Sequence, residues 1–249
     1  MTTSQPGPTS YDLGGRVALI TGGLGGAGRP ITRAFVAAGA TVVVGEIAGH
    51  EAQAAALQSE LGASGSRLFY EPANLQEESE VAALIARILQ QHQQLDILVN
   101  LVGGWKAGEP VTNTDLSLWQ QMLDLNLRPA FLLSKHAAPP MVEQGWGRII
   151  HTSARGALTG RRNASAYATA KSAVITLVQV QAEELRESGV TVNAILPSTI
   201  DTPANRVAMP NADFSKWPKA EEIARVLLFL ATEDAKLISG ASIPVFGQA

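Results

Sequence analysis

The sequence predicts an α/β protein built on a single doubly wound parallel sheet of seven strands, with helices on both faces. Short apolar runs alternate with helix-like patterns along nearly the whole chain. A glycine-rich segment lies between the first apolar run and the first helical pattern, where such folds bind nucleotides. The chain has 249 residues, 46% of them hydrophobic, and no repeat or linker-like stretch divides it, so we expect one domain.

The expected strands are short apolar runs, because strands of a parallel sheet are buried on both faces. They lie at 16–21, 41–46, 66–71, 95–100, 147–152, 190–196 and 242–246. Between them, apolar residues recur every three or four positions, as in helices packed on a sheet. These helices are expected at 27–38, 50–61, 77–91, 115–142, 165–187 and 219–231. Right-handed crossovers then place a ligand site outside the carboxyl ends of the strands.

The glycine-rich segment 21–28 reads T-G-G-L-G-G-A-G and follows the first strand directly. Glycines at this point allow a tight turn and let the backbone approach a pyrophosphate. The helix that follows supplies free N–H groups and the positive end of its dipole. Pro30 falls in its first turn, where a missing N–H does no harm. The context favours a phosphate-binding loop over a merely flexible one.

Tyr167 and Lys171 are four residues apart within a helical pattern, so their side chains share one face. An ammonium at about 4 Å, with an effective dielectric constant near 20, is worth roughly 4 kcal/mol. We therefore expect Lys171 to lower the pKa of the Tyr167 phenol from about 10 towards neutrality, where general acid–base catalysis works best. Taken alone, the pair is weak evidence, and an ordinary amphipathic helix is the better explanation. The glycine segment upstream makes the pair strong evidence.

The glycine segment and the pair Tyr167 and Lys171 together resemble the short-chain dehydrogenase/reductase family. That family has the cofactor loop T-G-x-x-x-G-x-G and the catalytic pair Y-x-x-x-K. The resemblance runs from about residue 13 to the C-terminus and implies a Rossmann-like fold. Asn126 and Ser153 fall at the family's two other catalytic positions.

The resemblance implies hydride transfer between NAD(H) and a carbonyl or secondary alcohol, with Tyr167 as general acid and base. Ser153 would hydrogen-bond the reacting oxygen, and Lys171 would bind the nicotinamide ribose. Asn126 would hold a water that links Lys171 to solvent. Cofactor contacts are implied at Gly22, Leu24, Gly25, Gly26, Ala27, Gly28, Glu46, Ile47, Asn74, Leu75, Asn100, Gly103, Tyr167, Lys171, Pro197, Ile200 and Thr202.

Glu46 ends the second expected strand, where an acidic side chain accepts hydrogen bonds from ribose hydroxyls and repels a 2′-phosphate. Enzymes of the family that use the phosphorylated cofactor often carry a basic residue in the glycine loop or just after this strand. Leu24, Gly25 and Ile47 are neutral, so NAD is the expected cofactor.

The chain departs from the family pattern at several places. The segment 100–103 reads N-L-V-G rather than N-N-A-G, and Ser198 follows Pro197 where glycine is usual. Asn74 replaces the usual Asp, and Gly247-Gln248 replaces a glycine pair. The interval from Ser153 to the catalytic Tyr is one residue longer than in many relatives. These departures bear on the geometry of the site and thus on the substrate.

For the substrate, Trp105 is a candidate pocket residue and Arg155 a candidate partner of an anionic group. Arg161 and Arg162 are expected to be solvated or paired at a subunit contact. Two other functions stay open. One is reduction of a 3-oxoacyl thioester, and the other is a non-enzymatic, NAD-sensing role, against which the intact catalytic residues speak.

Composition and patterning restrict the partners. With net charge −3 there is no electrostatic signature of nucleic-acid binding, and no apolar run reaches the length of a membrane span. Cys is absent, the four His lack metal-ligand spacing, and we expect no metal. His151 is expected to be a packed core residue. Residues 1–12 are expected to form a flexible tail without signal-peptide features, 13–249 the domain, and 203–218 an irregular substrate lid, in a cytoplasmic homotetramer with a dimer as the fallback.

Overall fold

The computed structural model describes residues 11–248. The chain forms one parallel sheet of seven strands, as predicted. The strands are β1 (Val17–Thr21), β2 (Thr41–Glu46), β3 (Leu68–Pro72), β4 (Ile97–Asn100), β5 (Gly147–Thr152), β6 (Val190–Pro197) and β7 (Ser242–Val245). Their order in the sheet is β3-β2-β1-β4-β5-β6-β7. The chain winds outward in both directions from the β1–β4 pair, so the crevice for a ligand lies at the carboxyl ends of these two strands.

Nine α-helices lie within residues 11–248. They are α1 (Gly28–Ala37), α2 (Glu51–Glu60), α3 (Glu78–His92), α4 (Leu116–Asn126), α5 (Arg128–Glu143), α6 (Gly156–Thr159), α7 (Ser165–Glu184), α8 (Pro203–Ala208) and α9 (Ala220–Leu230). Buried residues form two clusters, one beneath α1, α2 and α9 and one beneath α3, α5 and α7. Ala18 and Ile20 of β1 face the first cluster, whereas Val17 and Leu19 face the second. Alternating side chains of a central strand therefore fill both layers.

The single helix expected at 115–142 is wrong, because the chain forms α4 and α5 instead. Leu127 separates them, with φ −104° and ψ −48°. The physical reason is Pro129, which has no N–H to donate to the carbonyl of Leu125 and whose ring crowds that carbonyl. The break leaves Asn126 as the last residue of α4.

Two further boundaries differ from expectation. The segment 203–218 is not irregular throughout, because it contains α8, which Thr202 caps by accepting a hydrogen bond from the N–H of Asn205 at 3.2 Å. Residues 1–10 of the expected tail lie outside the described residues. Tyr11 is the first described residue, and its ring packs against Phe229 with ring centroids 6.2 Å apart. Across residues 11–248, no helix combines the length and the apolar character needed to cross a bilayer.

Candidate active site

The glycine loop between β1 and α1 has the backbone geometry that the sequence predicts. Gly22 adopts φ +74°, a conformation that disfavours side chains. A Cβ at Gly28 would lie 2.0 Å from the carbonyl oxygen of Gly22, so only glycine fits at the start of α1. The hydroxyl of Thr32 donates to the carbonyl of Gly23 at 3.0 Å and holds the loop against the helix. The first turn of α1 carries no acidic residue, so its positive end is free to attract a phosphate.

Three segments converge around this loop at the carboxyl edge of the sheet. A Cβ built on Gly26 would lie 3.3 Å from the Cβ of Thr202, which follows β6. A Cβ built on Gly22 would lie 3.2 Å from the main-chain carbon of Leu101, which follows β4. The structure therefore brings the predicted loop, Thr202 and the turn after β4 into one cleft whose residues fit a dinucleotide.

Glu46 points its carboxylate at the glycine loop, where Oε1 accepts a hydrogen bond from the N–H of Leu24 at 2.9 Å. Its other carboxylate oxygen has no hydrogen bond among the described residues. Ile47 is 58% exposed beside it. The carboxylate thus lies at the position where the sequence predicts the ribose contact.

Asn74 and Leu75 follow β3, on the adenine side of the predicted site. The side-chain carbonyl of Asn74 accepts from the N–H of Gln76 at 3.1 Å and closes a tight turn. Leu75 is buried, which leaves its side chain in the core rather than on the cleft surface. Contacts from either residue to adenine stay predictions.

Asn100 is buried and ties three strands together. Its Oδ1 accepts from the hydroxyl of Thr21 at 2.8 Å and from the N–H of Val102 at 3.1 Å, and its amide nitrogen lies 3.3 Å from Nδ1 of His151. Nε2 of His151 lies 2.9 Å from the hydroxyl of Ser134. Burial lowers the pKa of His151 to about 4, with the Lys171 charge as a second cause. His151 is the packed core residue that we expected.

Asn126 fixes the Gly103-Gly104 turn after β4. Its Oδ1 accepts from the N–H of Gly104, and its amide nitrogen donates to the carbonyl of Gly104, each at 3.1 Å. The amide nitrogen also donates to the carbonyl of Met122 at 3.0 Å. A Cβ on Gly103 would lie 2.8 Å from both Asn126 Oδ1 and Lys171 Nζ, so this glycine is needed for the two side chains to converge.

Lys171 is buried, and its Nζ donates to the main-chain carbonyl of Thr152 at 2.8 Å. Burial lowers the pKa of Lys171 to about 8. A buried ammonium with few partners is well suited to donate hydrogen bonds to the hydroxyl groups of a ribose.

Ser153 is also buried, and its hydroxyl donates to the main-chain carbonyl of Lys171 at 2.7 Å. A hydroxyl has one proton to donate. In this arrangement Ser153 joins the end of β5 to the middle of α7, and no hydrogen bond to Tyr167 occurs among the described residues.

Tyr167 lies on α7 one turn before Lys171, as predicted, but its environment differs from the expectation. Burial raises the pKa of Tyr167 to about 12, and the charge of Arg161 opposes this. The expected lowering by Lys171 is wrong for this arrangement, because that ammonium is directed at the carbonyl of Thr152. The ring of Trp105 packs edge-on against Tyr167, with centroids 4.6 Å apart and planes at 74°.

The segment after β6 forms the other wall of the cleft. The carbonyl of Pro197 accepts from the N–H of Arg155 at 2.9 Å, and the carbonyl of Ile200 accepts from the side chain of Asn205 at 2.8 Å. Ser198 donates its hydroxyl to the carbonyl of Phe246 at 2.7 Å. Its φ is not positive, so the turn after Pro197 does not require the usual glycine.

Sequence reasoning missed one part of this region. Arg161 was expected to be solvated or at a subunit contact, but its guanidinium carbon lies 4.7 Å from the centre of the Trp105 ring. The only signal in the sequence is a Trp directly after two glycines and an Arg in the connection before α7. Their contact depends on how two loops pack, which spacing does not reveal.

Comparison with known proteins identifies the class. The family model for short chain dehydrogenases matches residues 16–212. A solved short-chain type dehydrogenase/reductase from Mycobacterium ulcerans superimposes with a TM-score of 0.87 at 31% identity, over 96% of this chain and 90% of that one. The chain therefore belongs to the short-chain dehydrogenase/reductase family.

Curated relatives align along nearly their whole length. D-beta-hydroxybutyrate dehydrogenase of Rhizobium meliloti is 29% identical, over 93% of this chain and 97% of the relative. Cis-4-hydroxycyclohexanecarboxylate dehydrogenase of Sinomonas cyclohexanicum is 32% identical, over 93% and 95%. The 3-oxoacyl-[acyl-carrier-protein] reductase of Synechocystis is 34% identical, over 94% and 97%. These similarities support an oxidoreductase that uses a nicotinamide cofactor.

Proposed function

We propose that the protein is an NAD(H)-dependent oxidoreductase that interconverts a ketone and a secondary alcohol, with Tyr167 as general acid and base. The observation that carries this proposal is the convergence of the glycine loop, Lys171 and Tyr167 at the carboxyl edge of β1, β4 and β5. A doubly wound sheet binds its ligand at this edge.

Reduction of a carbonyl requires one hydride at carbon and one proton at oxygen. The bound cofactor supplies the hydride. Tyr167 supplies the proton, and because burial keeps the pKa of its phenol near 12, the phenol is protonated at neutral pH. Lys171 donates to the nicotinamide ribose, and the glycine loop with the start of α1 receives the pyrophosphate.

Ser153 has a positioning role in this proposal. Because its proton is donated to the carbonyl of Lys171, it fixes the backbone that carries Lys171 instead of polarising the substrate oxygen. Asn126 acts in the same way on the Gly103-Gly104 turn, through two hydrogen bonds to the main chain of Gly104. A third hydrogen bond, to the carbonyl of Met122, fixes its amide group within α4.

NAD is the proposed cofactor because Glu46 ends β2 and holds its carboxylate against the glycine loop, where a negative charge would repel a 2′-phosphate. Two relatives are named for alcohols that bear a carboxylate, and such compounds are the first substrates to screen. Reduction of a 3-oxoacyl thioester is the second candidate, favoured by the Synechocystis relative. We further propose that the protein is located in the cytoplasm and assembles into a homotetramer.

The test is turnover of ketones with NADH by the unmutated protein and by Tyr167→Phe. This substitution keeps the ring against Trp105 and removes the acid, so turnover should fall by at least about 100-fold while NADH still binds. Tyr11→Phe, which alters a phenol at the Phe229 contact, is the control and should leave turnover unchanged. Equal turnover in Tyr167→Phe and the unmutated protein would show that another group transfers the proton.

A further inference from the structure

The side chains of Arg161, Trp105 and Tyr167 form a stack in which Trp105 lies between the other two. The guanidinium carbon of Arg161 lies 4.7 Å from the Trp105 ring centre, and the Trp105 ring packs edge-on against the Tyr167 ring with centroids 4.6 Å apart. The charge of Arg161 acts on the Tyr167 phenol, since it opposes the rise in its pKa. The permanently charged guanidinium of Arg161 is therefore separated from the Tyr167 phenol by one side chain, that of Trp105.

Main-chain hydrogen bonds join the loop that carries Arg161 to the loop that carries Trp105. The N–H of Gly108 donates to the carbonyl of Asn163 at 2.9 Å, and Asn163 has a left-handed φ of +61°. The N–H of Ala164 donates to the carbonyl of Arg161 at 3.2 Å, which forms a turn before α7. The indole face then limits where the guanidinium can go, so little side-chain entropy remains to be lost on binding.

Arg161 lacks an acidic partner within the part of the chain that the structure describes. None of the ion pairs formed among residues 11–248 includes it, although Arg16, Arg29, Arg87 and Arg148 each have one. Arg161 is exposed at the open side of the stack. A guanidinium that stacks on an aromatic ring keeps its N–H groups available in the plane, and these match a carboxylate in a bidentate pair.

The geometry points to Arg161 as the group that selects the substrate: it receives a carboxylate, so the substrate is an oxo acid or the corresponding hydroxy acid. This inference rests on the proposed function and adds the residue that determines specificity. The carboxylate pairs with Arg161, Trp105 supplies an apolar wall, and the carbonyl oxygen lies at the Tyr167 hydroxyl. No covalent step involves Arg161.

The experiment uses oxo acids and their methyl esters as matched pairs: 3-oxobutanoate, 2-oxobutanoate and 4-oxocyclohexanecarboxylate. The ester keeps the reacting carbonyl and removes the charge. For the best pair, the unmutated protein should prefer the acid. Arg161→Gln should lower kcat/KM for the acid at least about tenfold through KM, while the value for the ester changes little. Arg161→Lys keeps the charge but loses the two-pronged guanidinium. Its kcat/KM for the acid should therefore lie between those of the unmutated protein and Arg161→Gln.

Arg162→Gln is the matched control, because it removes an exposed positive charge at the next position. It should change kcat/KM for acid and ester by less than about twofold. Thermal melting of each variant confirms folding, which an exposed substitution should preserve. If the unmutated protein reduces esters as well as acids, or if Arg161→Gln affects both equally, the inference fails and the proposed function survives. If no acid of any pair is reduced, the inference fails, and the proposed function fails as well only if neutral ketones are also not reduced with NADH.

Discussion

The hydroxyl of Ser153 donates its single proton to the main-chain carbonyl of Lys171, at a distance of 2.7 Å. The same Lys171 donates from Nζ to the carbonyl of Thr152, the residue before Ser153, at 2.8 Å. The end of β5 and the second turn of α7 are therefore joined by two reciprocal hydrogen bonds. Lys171 is positioned by the residue that the sequence suggested would polarise the substrate.

Ser153→Ala should consequently reduce stability more than it reduces chemistry. Loss of one buried hydrogen bond costs about 1 kcal/mol, and the carbonyl of Lys171 then keeps only the helical hydrogen bond that its position within α7 provides. Turnover should fall by less than about tenfold, well short of the loss expected for Tyr167→Phe. Urea unfolding and steady-state kinetics measure the two effects. Ser172→Ala is the control, because its hydroxyl also donates to a carbonyl, that of Ala157, at 2.9 Å. A loss of turnover as large as in Tyr167→Phe, with unchanged stability, would restore Ser153 as a direct contact of the substrate.

Glu46 should determine the choice between NADH and NADPH. The unmutated protein is expected to bind NADH more tightly, because a 2′-phosphate would meet the Glu46 carboxylate. Glu46→Ser should narrow the difference by removing the repulsion and a hydrogen bond, as measured by fluorescence titration with each cofactor. Glu46→Gln separates the two causes, because its amide oxygen still accepts from the N–H of Leu24 without the charge. Equal or tighter binding of NADPH by the unmutated protein would refute the assignment.

The two directions of the reaction should respond differently to pH. Burial raises the pKa of Tyr167 to about 12, so the phenol is protonated and ready to donate at neutral pH. Alcohol oxidation requires the deprotonated phenol. At pH values below the pKa, the deprotonated fraction grows about tenfold for each unit by which the pH rises. We expect kcat/KM for oxidation, at saturating NAD, to rise steadily up to about pH 8, while reduction stays flat near neutrality. Above that pH Lys171, whose pKa is about 8, loses the charge that holds the ribose. A plateau of oxidation below pH 8 would mean that Lys171 lowers the pKa of Tyr167 once the cleft is filled.

The protein should assemble into a homotetramer, with a dimer as the fallback. Leu116 is 79% exposed, and Phe131 and Val180 are each 49% exposed, so α4, α5 and α7 present apolar side chains to solvent. Three further apolar residues on α4 and α7 are half-buried, namely Trp119, Leu123 and Leu177. Burying such side chains between symmetric copies removes them from water. Light scattering behind a sizing column measures the mass, and Val180→Asp should lower it. A mass equal to the single 26.2 kDa chain in the unmutated protein would exclude both assemblies.

The sequence alone determined the sheet, the cofactor loop and the family. Parallel strands are buried on both faces, so each of the seven appears as an apolar run, and all seven were located within two residues at either end. The glycine loop was equally predictable, because a Cβ at Gly28 has no room and this restriction is visible in the sequence as glycine. Pro129, too, was visible, but the continuous helical pattern around it led to the wrong prediction of one helix.

The tertiary structure decided the environment of each candidate catalytic side chain. Spacing places Tyr167 and Lys171 on one face of α7, but it does not say that Lys171 is directed at the carbonyl of Thr152 or that burial raises the pKa of Tyr167. Likewise, only packing brings Arg161 and Trp105, from two separate loops, into contact. The physical reason is that secondary structure follows from local periodicity, whereas a hydrogen-bond partner or a pKa depends on groups that are distant in the chain and meet only when the fold is complete.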